Sequence, residues 1–164
     1  MNYAKISSCD IADGYGVRVG FYVSGCTRKC KGCHNPEAQD FNYGKPFSNV
    51  TKNEIIQLIS RPYCAGLSIL GGEPLEKNNR RVIIALCKEV KERFPDKDIW
   101  MWTGYTYEEV LADASMNEVL KYIDYIVDGP FVEEMKDLSL RFCGSSNQRI
   151  LKLHPKLEVL PNHN

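Results

Sequence analysis

"VRVGFYVSGCTRKCKGC", Val17 to Cys33, is a β-branched and aromatic run that feeds directly into a loop holding three cysteines. Cys26, Cys30 and Cys33 form C-x3-C-x2-C, and the loop supplies no fourth cysteine. A strand that ends in metal-ligand spacing sets the question for the rest of the chain: what else lies at the ends of strands?

Working outward, strands and helices alternate. "TKNEIIQLIS" opens on Thr51 with Glu54 three residues later, which predicts a capping box and a short helix. "AGLSILGGEP" predicts a buried strand, Leu67 to Leu70, closed by a glycine turn. In "NNRRVIIALCKEVKERF", Val82, Ile83, Leu86, Val90 and Phe94 recur at helical spacing and Pro95 stops the run. "DIWMW" predicts a third strand ending at Thr103-Gly104, with Trp100 and Trp102 expected in the core. "TYEEVLA" and "SMNEVLKY" carry two further capping boxes, Thr106/Glu109 and Ser115/Glu118. "DYIVDG" predicts a fourth strand and "RILKL", Arg149 to Leu153, a fifth. "HPKLEVLPNHN" has no clear period and is expected to fray or lie over the surface, giving one domain over 1–153 and a flexible tail over 154–164.

Such alternation predicts an α/β fold with a parallel sheet and right-handed crossovers. The cysteine loop, Gly71-Gly72-Glu73-Pro74, Thr103-Gly104-Tyr105 and Asp128-Gly129-Pro130 each follow a predicted strand. Ligands of parallel α/β folds bind at the carboxyl ends of strands, so these four loops are expected to converge.

Composition bounds the function. The chain has 164 residues, 43% hydrophobic and 26% charged, as expected of one globular domain. Lys+Arg and Asp+Glu balance at 21 each, so no global field favours nucleic acid or an acidic membrane. No apolar run reaches the ~20 residues of a membrane span. Residues 1–14 carry no apolar signal segment, so the expected location is cytoplasmic, where thiols stay reduced. Seven cysteines in such a compartment point to metal or redox chemistry.

Two readings of the triplet stand. A structural zinc site is four-coordinate and needs a further ligand; His34 adjoins Cys33 too closely, and Cys9, Cys64, Cys87 or Cys143 would have to arrive from afar. Cys64 and Cys87 are instead expected in the core. The alternative is a [4Fe–4S] cluster on three thiolates, with one iron left open for substrate or cofactor. Arg28, Lys29 and Lys31 would offset its negative charge, or dock an acidic electron donor.

C-x3-C-x2-C after one strand and "GGEP" after the next resemble the radical S-adenosylmethionine enzymes. "DGYGVRV", "CHNPE", "DIWMWTGYTYEE", "YIVDGPFVEE" and "GSSNQRIL" together resemble the branch that activates the anaerobic, class III ribonucleotide reductase. The resemblance covers about residues 1–153. It departs at Tyr15, where activases usually carry proline, and at Leu70, where a Ser or Thr often precedes the Gly-Gly pair.

The resemblance implies an incomplete, partial TIM-like barrel of mostly parallel strands in a single domain. It implies a [4Fe–4S] cluster on Cys26, Cys30 and Cys33 and S-adenosylmethionine chelated to the open iron. Reductive cleavage would then give methionine and a 5′-deoxyadenosyl radical that takes a glycine α-hydrogen from the large subunit of anaerobic ribonucleoside-triphosphate reductase. Gly32, Cys33, His34, Gly71, Gly72, Glu73, Thr103, Gly104 and Asp128 are the residues it places at the cofactor, the backbone carbonyls of Gly71 and Gly72 and the Glu73 carboxylate accepting from its cationic amino group. Tyr105 has a lesser claim. Asp13, Arg18 and "GSSNQR" are candidates to line the opening for the incoming peptide. A flavodoxin-like or other low-potential donor would supply electrons, and a homodimer is possible. The alternatives are a formate-lyase-type activase, a small-molecule radical enzyme, a zinc interaction module, or a glycyl-radical spare part suggested by "RFCGS".

Overall fold

The computed structural model describes residues 1–163. Its strands are β1 (Asn2–Asp10), β2 (Val17–Val23), β3 (Lys45–Pro46), β4 (Cys64–Gly71), β5 (Asp98–Trp102), β6 (Tyr125–Asp128), β7 (Arg149–Lys152) and β8 (Glu158–Leu160). The helices are α1 (Asn49–Ile59), α2 (Arg80–Arg93) and α3 (Tyr107–Ala112).

All eight strands form one sheet in the order β3-β1-β2-β4-β5-β6-β7-β8. Only β2, β4, β5 and β6 run parallel. The remaining pairings are antiparallel, so the sheet is mixed rather than mostly parallel. The reason lies in the connections. Parallel neighbours need a crossover of a dozen or more residues, and the segments carrying α1, α2 and α3 supply one; the link over 129–148 is as long but carries no α-helix and brings β7 back antiparallel. The expected first strand is the second: β1 precedes it and reaches it through a short turn at 11–16. The tail adds β8 to the edge of β7.

The helices follow the sequence pattern with two corrections. α1 begins one turn early: Ser48 is its N-cap, accepts from the Thr51 N–H, and Thr51 answers as the third residue of the box. Ser115 caps no helix. Its N–H and hydroxyl both donate to Asp113 Oδ1, and a short 3-10 turn starts at Asn117 instead. The Thr106/Glu109 box on α3 is present as read, and α2 buries Ile83, Leu86, Cys87 and Val90. Cys64 opens β4, buried as expected, with Cys87 in the same core.

Alternation along the parallel strands divides the interior in two. Val19, Phe21, Val23, Leu67, Ile69, Ile99 and Met101 join the main core shared with the helices. Each such side chain, fully buried, contributes about 1.5–3 kcal/mol. The other face carries Arg18, Gly20 and Tyr22 on β2, Ser68 and Leu70 on β4, and Trp100 and Trp102 on β5. Here a smaller apolar cluster of Trp100, Val127 and Ile150 lies beside a fully buried arginine. Arg18 pairs with Asp98 at 2.5 Å and donates to Ser68 Oγ at 2.7 Å and to the Leu67 carbonyl. It also donates to the Tyr15 carbonyl, and Ser68 Oγ donates to the Asp13 carbonyl. The 13–16 turn is therefore anchored from below onto the sheet.

Candidate active site

Because β2, β4, β5 and β6 are parallel neighbours, their carboxyl ends share one rim, and the four singled-out loops converge there. Hydrogen bonds join each loop to the next. Gly72 N–H donates to the Val23 carbonyl and Glu73 N–H to the Gly25 carbonyl. The Glu73 carboxylate then reaches the end of β5, accepting from Thr103 Oγ1 at 2.8 Å and Gly104 N–H at 2.8 Å, as well as from Leu75 N–H at 2.9 Å. Gly129 N–H donates to the Tyr105 carbonyl.

The glycine turn is demanded by this closeness. Gly71 has φ +107°, and a Cβ there would lie 2.6 Å from the Val23 carbonyl oxygen. A Cβ on Gly72 would lie 2.7 Å from the carbonyl oxygens of Ala38 and Gly25. Both contacts are with protein backbone, so the pair first serves the packing of GGEP against the cysteine loop.

That loop leaves β2 and folds back on itself. Gly25 and Cys26 N–H groups donate to Ala38 and Gln39 carbonyls, and Glu76 accepts from Thr27 N–H and hydroxyl. Lys29 (φ 51°) and Gly32 (φ 69°) turn the chain between the cysteines. Cys26, Cys30 and Cys33 are all free and half-buried. Burial raises the Cys26 thiol pKa, with the nearby Glu73, Cys30 and Glu76 adding to the effect against the lowering influence of the Arg28 N–H. Among the described residues no three or more His, Cys, Asp or Glu side chains are arranged around a single metal ion. A cluster whose thiolates bind separate irons does not require convergence on one point.

Next to the loop lies a cavity of about 380 Å³, within the range of small-molecule sites. Its wall includes Asp13, Tyr22, His34, Gly71, Trp102 and Cys143. His34 packs on Phe131 with ring centroids 4.8 Å apart. Trp102, expected in the core, faces the cavity and donates from Nε1 to the Phe142 carbonyl at 2.7 Å. Trp100 beneath it is fully buried, as expected.

Of the predicted cofactor residues, His34 and Gly71 line this cavity, while Gly32, Cys33, Gly72, Glu73, Thr103, Gly104 and Asp128 are not among its wall residues. Gly32 abuts Glu133, and Lys31 pairs with that carboxylate at 2.9 Å. Glu73 is fully buried and spends its carboxylate on protein donors; burial raises its pKa against the lowering effect of those donors and of Arg28. Thr103 and Gly104 are its partners, so all three brace the rim. Asp128, also buried, accepts from Tyr107 N–H at 2.7 Å and from Arg149, joining β6 to α3 and β7. Arg28 lies 3.9 Å from the centroid of Tyr105, and its Nε is buried without a hydrogen-bond partner. Arg18 lies under the turn rather than at the opening, as described above. Within "GSSNQR", Gly144 and Gln148 line the cavity while Arg149 pairs with Asp128 and Glu108.

Sequence reasoning passed over Tyr22, Leu70 and Phe142 as wall residues. A signal for Tyr22 was available: Gly20 in mid-strand is a costly residue unless something needs its space. A Cβ on Gly20 would meet Asp10 Oδ2 at 2.6 Å and the Tyr22 ring at 3.0 Å.

Comparison with known proteins shows the family. The family described as "4Fe-4S single cluster domain" matches residues 12–151. The chain is 41% identical over 154 residues to the anaerobic ribonucleoside-triphosphate reductase-activating protein of Pasteurella multocida (strain Pm70), covering 93% of this chain and 98% of that protein. The protein of the same name from Enterobacteria phage T4 is 42% identical over 150 residues, covering 92% and 93%. That of Escherichia coli (strain K12) is 39% identical over 150 residues, covering 90% and 96%.

Proposed function

The chain belongs to the family of anaerobic ribonucleoside-triphosphate reductase-activating proteins, and from that premise we propose that it installs a glycyl radical on the large subunit of such a reductase. The observation that carries the reading is that the three-thiol loop continues, at His34 and Asn35, into the wall of a cavity beside the carboxyl ends of β2, β4 and β5. Cys26, Cys30 and Cys33 would hold the [4Fe–4S] cluster that the matching family description names. The buried, unpartnered Arg28 Nε between the first two cysteines is a donor suited to an anionic centre. S-adenosylmethionine would lie in the adjoining cavity walled by His34 and Gly71, where cluster and cofactor together would supply the one-electron chemistry that yields methionine and a 5′-deoxyadenosyl radical for the glycine α-hydrogen.

The chain's own residues bind, orient and exclude water. Gly71 and His34 provide cavity wall next to the cluster loop, and Gly32 and Cys33 provide the loop itself. Gly72, Glu73, Thr103, Gly104 and Asp128 act by positioning: their hydrogen bonds hold the rim loops in register. Trp102, Phe131 and Phe142 supply an apolar surround. We read the sheet as an incomplete barrel whose unclosed side admits a peptide segment, residues 1–153 as the activase domain, and 154–164 as a tail appended to it. Electrons come from a flavodoxin-like or similar low-potential donor, in the cytoplasm. Among the described residues no helix is long and apolar enough to cross a membrane. The free protein is a monomer or homodimer.

The test is anaerobic reconstitution with iron and sulfide, reduction in the presence of S-adenosylmethionine, and addition of the reductase. We expect 5′-deoxyadenosine and a glycyl doublet by electron paramagnetic resonance, both abolished in Cys30→Ala. A Cys30→Ala protein that cleaves the cofactor at the wild-type rate overturns the assignment.

A further inference from the structure

Tyr22 hydroxyl lies 2.9 Å from Asp10 Oδ2 and 2.8 Å from Asp13 Oδ2. A phenol has one proton to donate. It satisfies one carboxylate, and a proton on the second would let that group donate to the phenol oxygen, so that both short contacts become hydrogen bonds. We infer that Asp10, Tyr22 and Asp13 share one extra proton at the cavity wall, so that Asp13 meets the reductase's glycine-bearing peptide as a neutral carboxyl. The peptide as occupant rests on the function proposed above; the shared proton does not.

The proton's place follows from the surroundings. Asp10 Oδ1 accepts the N–H groups of Ala12 at 2.9 Å and Asp13 at 3.2 Å, which favour its anion. Burial opposes ionisation at Asp10, but these donors and Tyr22 hold its pKa below the ordinary range. Asp13 has no such backbone donors. Burial and the neighbouring Asp10 charge raise its pKa against the pull of Tyr22 and Lys5. The order is Asp13 O–H to Tyr22, then Tyr22 O–H to Asp10.

The constellation is built in. Gly20 vacates the space that Asp10 and Tyr22 fill. Ser68 Oγ and Arg18 clamp the turn that carries Asp13, and Asp13 and Tyr22 both line the cavity. With its O–H given to Tyr22, a neutral Asp13 keeps its other oxygen as an uncharged acceptor for a main-chain N–H, whereas a carboxylate would bring a charge into the wall. Asp10 and Tyr22 are thus positioning residues for that proton. The other titratable groups facing it are Lys5, whose ammonium is 5.2 Å from the Tyr22 ring centroid, and His34 and Cys143 on the cavity wall. Burial pushes the Cys143 thiol up to about 11.

The sign is fixed. A raised pKa keeps Asp13 protonated below it, and the proton is lost as pH rises through it. Aspartate-labelled protein without iron, followed by isotope-edited infrared spectroscopy, should show a protonated-carboxyl stretch that persists above the pH at which an ordinary aspartate ionises, disappears at higher pH and is missing from Asp13→Asn. In the reconstituted enzyme, glycyl radical formed per 5′-deoxyadenosine should fall along the same alkaline limb. Asp10→Asn removes the like charge and should move both limbs to lower pH. A wild-type protein lacking the band, or an Asp10→Asn titration superposing on wild type, overturns the inference. If no protein cleaves the cofactor, the proposed function fails while the infrared titration still decides the shared proton.

Discussion

Glu73 shows how a single side chain gains its meaning from the fold. In sequence it is the third residue of a turn and a candidate acceptor for a cationic ligand. In the structure its two oxygens accept from Leu75 N–H, Thr103 hydroxyl and Gly104 N–H, and it is buried. Its role is to fasten the end of β4 to the end of β5. Glu73→Gln keeps the shape but turns one acceptor into a donor facing donors, so a buried group loses its partner. That costs about 1–3 kcal/mol. Thermal unfolding of the iron-free protein followed by circular dichroism should show a clear drop in midpoint. An unchanged midpoint would mean that the carboxylate does not brace the rim. None of this was legible in the sequence, because its partners beyond the turn lie about thirty residues away and no local pattern announces them.

At the level of elements, the helices were read from period and punctuation, and the errors fall where two caps compete. Thr51 and Ser48 both carry hydroxyls, and the box that forms uses Ser48 as cap with Thr51 answering. Asp113 captures Ser115 before a helix can use it. These local bonds assign different outcomes to similar substitutions. Ser48→Ala should lose about 0.5–2 kcal/mol, as expected for loss of an N-cap. Ser115→Ala removes no cap, and surface substitutions of that kind stay within about 0.5 kcal/mol. Urea unfolding of the two variants compares them directly; a larger loss at Ser115 would reverse the assignment. β1 escaped notice for a different reason. Its residues alternate only weakly between apolar and polar, since only Asp10 of the strand is fully enclosed.

Across the whole molecule, the sheet has one face committed to helices and the other to a buried arginine, two tryptophans and the cavity. The parallel core and the converging loops were legible because glycines, cysteines and turn residues mark strand ends. The antiparallel flanks were not, since strand direction follows from which segments carry crossovers. Arg18 links the layers, holding β4, β5 and the 13–16 turn through Ser68, Asp98 and Tyr15. Arg18→Met should destabilise the fold toward the lower end of the roughly 3–5 kcal/mol for a broken buried pair, because the Asp98 side chain is 33% exposed. Adding Asp98→Asn should recover part of that loss. A denaturant midpoint unchanged by Arg18→Met would remove it from the framework.

The central claim is that Cys26, Cys30 and Cys33 hold three irons of a cluster and leave the fourth to a small molecule. Mössbauer spectroscopy of protein reconstituted with ⁵⁷Fe measures this most directly. The account predicts that S-adenosylmethionine changes the isomer shift of one iron in four and leaves the other three as they were. Spectra that do not respond to S-adenosylmethionine, or iron bound in any form other than a four-iron cluster, would contradict it.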